Sequence, residues 1–375
     1  MASTKNVRVY LGTRKGTYVV ESEKARRKWK VRGPYQPGND VFHVAPDPRT
    51  RGHVYAAVNN AYWGPSMYRS TNHGKTWSEI APPLLPLQKS RKPTMGPEGV
   101  AQPIQAIWHI EPGPASSPET VFVGVDPYSL YRSDDGAASW EPVNGINEHS
   151  TKAKWNPGNG GPCLHTILLD PAHPSRMYVG ISAAGMFRSN DGGKSFRPAN
   201  QGVLVDFLPD PVQEVGQCVH KVVLDPANPA TSYRQDHSGI HVSHDGMESW
   251  TRVGKSLKSD FGFAVAATAS RPGQAYFVPL AGETRTSWGG ALEVYRWVDK
   301  TRKFSPLIRG RAAKGDLGAQ REGIAADALD PPGIYVGTTT GQLVVSPDDG
   351  RSWSVVPQMF PGIHSVSVDS SDFAK

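Results

Sequence analysis

Five of the twelve histidines in this chain lie at one equivalent place in a repeated unit, each near the end of a short apolar segment. They are His43, His109, His165, His220 and His364. Neutral imidazoles bind Mn, Fe, Zn and Cu ions, and clustered imidazoles repel one another when they are protonated. If the fold brings the five side chains together, the sequence predicts a divalent metal ion, Mn, Fe, Zn or Cu, that is bound by three or four of them.

The repeated unit contains a turn of the form Ser-x-Asp-x-Gly-x-x-aromatic. Complete copies begin at Ser189 and Ser346, and weaker copies begin at Ser70, Ser133 and Ser243. The aromatic anchors of seven units lie 48 to 63 residues apart: Trp29, Trp77, Trp140, Phe196, Trp250, Phe304 and Trp353. Repeats of about 20–50 residues indicate a propeller or a solenoid. Four short strand patterns in each unit, A to D, predict an all-β, seven-bladed β-propeller with four-stranded antiparallel blades.

Strand A is the innermost strand of a propeller blade, and it is the strand that carries the histidine. The five imidazoles are therefore expected to converge on the axial channel. At the chain ends, residues 7–32 supply strands B to D of one blade, and residues 362–369 supply its strand A. We expect a single domain over residues 1–375 in which the seventh blade is shared between residues 1–40 and 361–375, because closure of the ring removes open sheet edges.

The other two inner strands differ from the histidine pattern. The fifth blade presents Phe261 and Phe263, which would wall one side of the channel, and the sixth presents Glu322. Glu322 could bind the metal, orient a histidine or act as a general base. His43 and His109 lie four residues before their turns, whereas the other three histidines lie five before theirs. This one-residue offset would place the imidazole on the opposite face of the strand unless the turn is one residue shorter. The flanking apolar pattern favours the shorter turn.

The only two cysteines, Cys163 and Cys218, each lie two residues before a strand-A histidine. Alternation along a strand puts each thiol on the same face as its histidine. Three interpretations remain open: small buried packing residues, a thiol near the metal, or a redox pair across adjacent blades. Two cysteines do not make a disulfide framework.

Long irregular segments lie in the D-to-A and B-to-C connections, which share one face of a propeller. They cover residues 59–65, 84–102, 144–161, 201–217, 281–290 and 310–320. Long loops on one face usually form a binding site. The candidate catalytic acids and bases are Glu98 and His149 in these loops, with Asp236 and His237 in the B-to-C loop of the fourth blade. The candidate anion-binding side chains are Arg14, Lys15 and Arg321.

Composition limits the classes of partner. The net charge of +7 over 375 residues is modest, and no basic run is interleaved with aromatic residues, so we expect a small anionic substrate rather than nucleic acid. No stretch approaches the roughly 18 apolar residues of a membrane span, and the first residues lack the apolar core of a signal peptide. A cytoplasmic location without a membrane partner is the expectation, and the oligomeric state is open.

The Ser-x-Asp-x-Gly-x-x-Trp turns resemble those of the Asp-box (BNR-repeat) propellers, within the wider sialidase-like and WD40/YVTN/BNR-like superfamily. This superfamily includes sialidases, xyloglucan-active glycosidases, sortilin-type receptors and photosystem II assembly factors. The resemblance implies a propeller in which the Ser and Asp side chains bond the backbone of a rim turn. Sialidases also share an N-terminal Phe-Arg-Ile-Pro-like segment, and residues 10–16 here contain none.

Three functional hypotheses follow. The first is a metal-dependent hydrolase or lyase, or an oxygenase with iron or copper, that acts on a small polar or anionic substrate in the channel. The second is a sialidase-like glycoside hydrolase that depends on carboxylates such as Glu98 or Glu322. The third is a non-catalytic scaffold or assembly factor, in which the histidines fill the channel and bond water and backbone groups.

Overall fold

Short antiparallel strands carry almost all of the regular structure in the computed structural model, which describes residues 6–83, 104–205, 207–315 and 317–373. The strands in chain order begin with β1 (Val7–Thr13), β2 (Gly16–Ser22), β3 (Lys30–Tyr35), β4 (Asp40–Pro46), β5 (Val54–Asn60), β6 (Gly64–Ser70), β7 (Ser78–Ile80), β8 (Ala106–Pro112), β9 (Val121–Asp126), β10 (Ser129–Ser133), β11 (Glu141–Pro142), β12 (Leu164–Leu169), β13 (Met177–Ile181) and β14 (Gly185–Ser189). They continue with β15 (Arg197–Pro198), β16 (Val219–Asp225), β17 (Asn228–Asp236), β18 (Gly239–Ser243), β19 (Thr251–Arg252), β20 (Gly262–Ala267), β21 (Gln274–Pro279), β22 (Ala291–Val298), β23 (Lys303–Lys314), β24 (Ile324–Ala326), β25 (Ile334–Gly337), β26 (Leu343–Ser346), β27 (Ser354–Val355) and β28 (Ile363–Asp369). The helical turns are α1 (Asn144–Asn147) and the 3-10 turns Lys152–Lys154, Gly254–Ser256, Trp288–Gly290 and Ser371–Phe373.

The strands form seven four-stranded sheets, which confirms the predicted seven-bladed propeller. Six blades are continuous in sequence, and they begin at β4, β8, β12, β16, β20 and β24. The seventh blade has the order β28-β1-β2-β3, with Val366 opposite Leu11 and Ser367 opposite Tyr10. The last strand therefore closes the ring on the first one, as predicted.

Apolar side chains between neighbouring blades form the core, and the strand-B tyrosines are among its largest members. Tyr276 and Tyr335 are fully buried, and their hydroxyls donate to Asp349 and Asp327 at 2.7 Å in both cases. A buried aromatic ring of this size stabilises the fold by about 1.5–3 kcal/mol, provided that its hydroxyl keeps a partner. The bond from Tyr276 joins the fifth blade to the sixth, whereas that from Tyr335 lies within the sixth blade.

The repeated Ser-x-Asp turns connect strands C and D on the outside of the ring. The Ser189 hydroxyl donates to Asp191 at 2.7 Å and accepts the backbone N–H of Gly193 at 2.9 Å, while Asp191 accepts the N–H of Ser195 at 3.0 Å. Equivalent bonds form in the turns that begin at Ser70, Ser133, Ser243 and Ser346. Because these side chains are occupied by their own turn, they shape the rim and take no part in the channel.

The inner strands β4, β8, β12, β16, β20, β24 and β28 contact one another in order around a closed channel. Two predicted loops are shorter than expected, because strand pairing continues into them. Asn60 pairs with Gly64 within the segment expected at 59–65, and β23 extends to Lys314 within the segment expected at 310–320. No helix in the described part of the chain has the length and apolar character needed to cross a bilayer.

Candidate functional site

Each inner strand that carries a histidine also contains a β-bulge. In β12, Leu164 pairs with Ile181 and Thr166 pairs with Gly180, so His165 has no partner on β13. A bulge inserts one residue and re-aims side chains locally, which lets consecutive residues point into the channel. We call the residue that the bulge leaves without a cross-strand partner the skipped residue. It is His220 in β16, His364 in β28, Phe42 in β4 and Trp108 in β8.

Because of the bulges, the histidines lie at two heights along the channel axis, which we call the first and the second level. His43 and His109 follow the skipped residue, so Phe42, rather than His43, occupies the position of His165 in its strand. The predicted shorter turn is wrong, because Phe42 precedes Asp47 by the same five residues that separate His165 from its own turn. The five histidines therefore do not form a single ring.

The first level contains a charged cluster that joins different blades. The Glu322 carboxylate from the sixth blade accepts a hydrogen bond from His109 Nδ1 of the second blade at 3.1 Å and is ion-paired with Lys221 of the fourth. Nε2 of His109 bonds Glu111 at 3.3 Å, and its ring stacks on His43 at 4.3 Å between centroids. Side chains from blades two, four and six can meet in this way only across the axis.

Hydrogen bonding and burial set the charges in this cluster. Burial lowers the pKa of His109, but its bonds to Glu111 and Glu322 outweigh burial and raise the pKa overall. Burial acts to raise the pKa of Glu322, yet the charge of Lys221 and the bond from His109 hold it well below the usual range. Burial and the charge of His109 hold the pKa of His43 well below the usual range. At neutral pH, Glu322 is therefore ionised and His43 is neutral, while His109 keeps its proton to a higher pH than a free imidazole does.

His43, His109 and Glu322 bring ligand atoms within 4.8 Å of one another. Their arrangement is nevertheless better suited to hydrogen bonding than to coordination. The two imidazole planes are only 14° apart, so their nitrogen lone pairs run nearly parallel instead of converging on one ion. The Lys221 ammonium already neutralises Glu322 and would repel a divalent cation. Lys221 was missed by the sequence analysis, although it directly follows His220 on an inner strand.

Buried neutral histidines make the fold sensitive to acid. Lowering the pH from about 7.5 to about 5.5 is expected to reduce the free energy of unfolding by about 4 kcal/mol. Burial lowers the folded-state pKa of four histidines: that of His220 to about 3, that of His241 to about 4, and those of His43 and His165 well below the usual range. Below an unfolded pKa of about 6.5, the unfolded chain takes up protons that the folded chain does not, so each group costs about 1.4 kcal/mol per pH unit. The raised pKa of His109 has the opposite sign and offsets part of this loss.

This prediction is checked by urea unfolding at the two pH values. The variant His241→Asn should reduce this pH-dependent loss by about 1.4 kcal/mol, because it removes one of the four buried neutral imidazoles. Equal stability of the parent protein at both pH values would contradict the buried, neutral state of these rings.

The second level contains a cavity of about 130 Å³ on the axis. Its lining residues are Phe42, Trp108, His165, Gln320, Arg321, Glu322 and His364. Typical pockets for drug-sized ligands are about 300–1,000 Å³, so this cavity suits a small molecule. Four of the five skipped residues lie in this wall, each from a different blade: Phe42, Trp108, His165 and His364.

Two hydrogen-bond donors in this wall are unused. The Arg321 guanidinium lies 5.7 Å from the Trp108 ring centroid and 5.8 Å from that of Phe263. Nε of Arg321 and Nε1 of Trp108 are buried without a hydrogen-bond partner, and no ion pair joins Arg321 to a carboxylate in the described part of the chain. An unpaired guanidinium beside an unsatisfied indole N–H is a suitable site for a small carboxylate or phosphate.

His364 in the same wall is positioned by a carboxylate. Its Nε2 donates to Asp40 Oδ1 at 3.0 Å, which leaves Nδ1 as the unprotonated nitrogen of the neutral ring. Burial lowers the pKa of His364, although Asp40 acts in the opposite direction. The ring is therefore neutral near pH 7 and can accept a proton. His165 differs, because its Nε2 donates to Val219 and its Nδ1 faces Thr166, at 3.1 and 3.0 Å.

A second cluster of metal-ligating side chains lies at the fourth blade. Cys218, His220 and His237 bring their ligand atoms within 4.8 Å of one another, with Cys218 Sγ 3.6 Å from His220 Nε2. Phe261 and Phe263 pack against His220 at 5.4 and 4.5 Å between ring centroids, which agrees with the wall predicted from the fifth blade. Burial raises the pKa of both cysteine thiols to about 11.

The other predicted site residues are not brought to the cavity. His149 bonds Thr151 and Phe196 through its two ring nitrogens and packs on Trp155, so it holds the third blade together. Asp236 is buried against Arg234 and Ser238, which occupy both of its oxygens. Arg14 and Lys15 are exposed in the turn between β1 and β2, and Glu98 lies outside the described residues.

Comparison with known proteins supports the fold alone. An ancestral GH74 enzyme superposes with a TM-score of 0.56 at 16% identity over 88% of this chain, which spans only 38% of that chain. YCF48 from Cyanidioschyzon merolae gives a TM-score of 0.55 at 13% identity over 86% of both chains. A putative 6-phosphogluconolactonase from Bacteroides fragilis gives 0.56 at 9% identity over 98% of this chain and 99% of its own. No family model and no curated protein matches the sequence.

Proposed function

We propose that this propeller is an enzyme of the hydrolase or lyase type that acts on a small carboxylate- or phosphate-bearing molecule in the axial cavity. The observation that carries the proposal is the unpaired Arg321 guanidinium in the cavity wall, held between Trp108 and Phe263. Arg321 is half-buried, and its Nε lacks a hydrogen-bond partner; a partly desolvated cation without a counterion is costly, and an anionic ligand reduces that cost.

His364 supplies the group that would move a proton. Asp40 fixes its tautomer, so Nδ1 is the nitrogen that accepts a proton from the substrate or from a water molecule. Glu322 also lines the cavity, but its bonds to Lys221 and His109 keep it ionised and fixed. We assign to Glu322 the role of orienting the cluster rather than that of the primary base.

Metal dependence stays a prediction, and it is separate from the roles proposed for Arg321 and His364. The His43, His109 and Glu322 group lies within ligand distance, but Lys221 provides the positive charge that a metal would otherwise supply. The chemistry assigned to His364 and Arg321 does not require a metal ion in that group.

Replacing Arg321 with glutamine is expected to weaken the binding of phosphate and of malonate by tenfold or more, because a hydrogen bond to a charged group is worth about 1.5–3 kcal/mol. Titration calorimetry on the parent and the variant measures the change. The control Arg132→Gln removes a half-exposed arginine of the rim that pairs with Asp134, and it should leave both affinities unchanged. Equal binding by the parent and Arg321→Gln would refute the anion site.

The alternative functions predict different outcomes in assays of hydrolysis and of anion binding. The GH74 neighbours support a test for glycoside hydrolysis, and a putative lactonase with the same fold supports a test on small lactones. A solved structure titled YCF48 bound to D1 peptide supports the scaffold alternative, which predicts neither anion binding in the cavity nor turnover.

A further inference from the structure

The cluster at the fourth blade has the chemistry of a metal site that is distinct from the axial one. We propose that Cys218, His220 and His237 bind one Zn²⁺ ion through one thiolate and two imidazoles. Sulfur and imidazole nitrogen together are typical ligands for zinc, and they are unsuited to Mg²⁺ or Ca²⁺.

The geometry around His220 is already that of a ligand. Its Nδ1 donates to the carbonyl of Gly262 at 2.6 Å, so Nε2 is the unprotonated nitrogen of the neutral ring, and this nitrogen faces Cys218. Such a bond from the distal ring nitrogen to a carbonyl commonly fixes the tautomer of metal-bound histidines. A tetrahedral zinc with bonds of about 2.3 Å to sulfur and about 2.05 Å to nitrogen separates these two ligands by about 3.6 Å. The observed distance between Cys218 Sγ and His220 Nε2 is 3.6 Å.

His237 completes the set from the turn that joins β17 to β18. Its backbone N–H donates to the carbonyl of Cys218 at 3.0 Å, which ties this turn to the start of the inner strand. The imidazole planes of His220 and His237 are 79° apart, with centroids separated by 6.0 Å, so their lone pairs can converge. This is the opposite of the stacked pair His43 and His109, whose planes are 14° apart.

The surroundings favour a bound ion and leave room for a fourth ligand. Phe207 and Phe261 pack edge-on against His237 at 5.1 and 5.4 Å between centroids, which limits the movement of its ring. In the described part of the chain no lysine or arginine is hydrogen-bonded or ion-paired to these three side chains, in contrast to Lys221 at Glu322. Three protein ligands leave the fourth tetrahedral position for water or substrate, as in catalytic zinc sites.

The site is close to the cavity but independent of it. Phe263 contacts both the His220 ring and the Arg321 guanidinium, at 4.5 and 5.8 Å from its centroid. The zinc would thus lie about one ring away from the proposed anion site. Its existence does not depend on whether Arg321 binds an anion.

The test uses the full-length protein loaded with zinc sulfate, desalted and analysed for metal by plasma mass spectrometry. We expect close to one zinc per chain in the parent, and nearly none in Cys218→Ser and His237→Gln. Titration with Co²⁺ should produce a thiolate-to-cobalt charge-transfer band in the near ultraviolet, which Cys218→Ser abolishes. Thermal unfolding of each variant shows whether the loss of metal is separate from loss of the fold.

Two controls keep the proposal falsifiable. Cys163→Ser changes the neighbouring buried cysteine, and His109→Gln changes the axial cluster; both variants should retain the zinc and the charge-transfer band. Zinc that is lost in His109→Gln and retained in Cys218→Ser would place the metal on the axis and overturn the proposal. Absence of zinc from a folded, reconstituted parent protein would also overturn it.

Discussion

Replacing Glu322 with glutamine is expected to lower the free energy of unfolding by about 3 kcal/mol, since removing one partner of a buried ion pair costs about 3–5 kcal/mol. Glu322 is the acceptor for both Lys221 and His109, whose side chains are 8% and 4% exposed. The neutral amide leaves the Lys221 ammonium buried without a counterion. His109 can release its proton, which places the expected loss at the lower end of the range. The midpoint of urea unfolding, followed by tryptophan fluorescence, measures the change.

A surface carboxylate provides the matched control. Glu248 is ion-paired with Arg188 and Arg197 but is 44% exposed, so Glu248→Gln should change the stability by about 1 kcal/mol or less. The double variant Lys221→Met, Glu322→Gln should recover most of the stability, because no unpaired ammonium remains. A stability of Glu322→Gln equal to that of the parent protein would show that the three groups do not form a buried network.

Replacing His364 with asparagine is expected to reduce turnover by about 10²–10⁴-fold, the usual contribution of a positioned acid or base. Hydrolysis assays on small lactones and phosphate esters provide the measurement. Above its pKa, which burial lowers, His364 is unprotonated, so kcat should be constant near neutrality and fall as the pH falls through that pKa. Asp40→Asn should produce a similar loss, because the amide no longer selects the tautomer with Nδ1 unprotonated.

The binding of malonate distinguishes this role from a structural one. His364→Asn should bind malonate with the affinity of the parent protein, since Arg321 and Trp108 provide the donors for the anion. Full turnover in His364→Asn would show that another group is the base. Loss of malonate binding together with turnover would indicate that the variant has altered the cavity itself.

The sequence was sufficient to predict the fold because the repeated unit specifies the number and the strands of the blades. Seven aromatic anchors and the strand patterns between them predict the blades, and the incomplete first and last units predict that β28 joins β1. Each of these signals is local, and each depends on side-chain alternation or turn chemistry, which short sequence windows record.

The site was predicted only in part, because β-bulges are not visible in a sequence pattern. Alternation from one end of β4 places His43 with His165, whereas the bulge gives that place to Phe42. The same shift puts Trp108 in the cavity wall and moves His109 to the charged level. In the sequence, Lys221 is recognisable only as a strand residue beside His220. The fold shows that it meets Glu322 across the axis.

The central claim is that the axial cavity binds a small anion through Arg321. A crystal structure of the protein grown with malonate tests this claim most directly. We expect a malonate carboxylate within hydrogen-bond distance of the Arg321 guanidinium and of Trp108 Nε1. A cavity that contains only water at a malonate concentration that saturates binding in calorimetry, with malonate bound elsewhere on the propeller, would contradict the account.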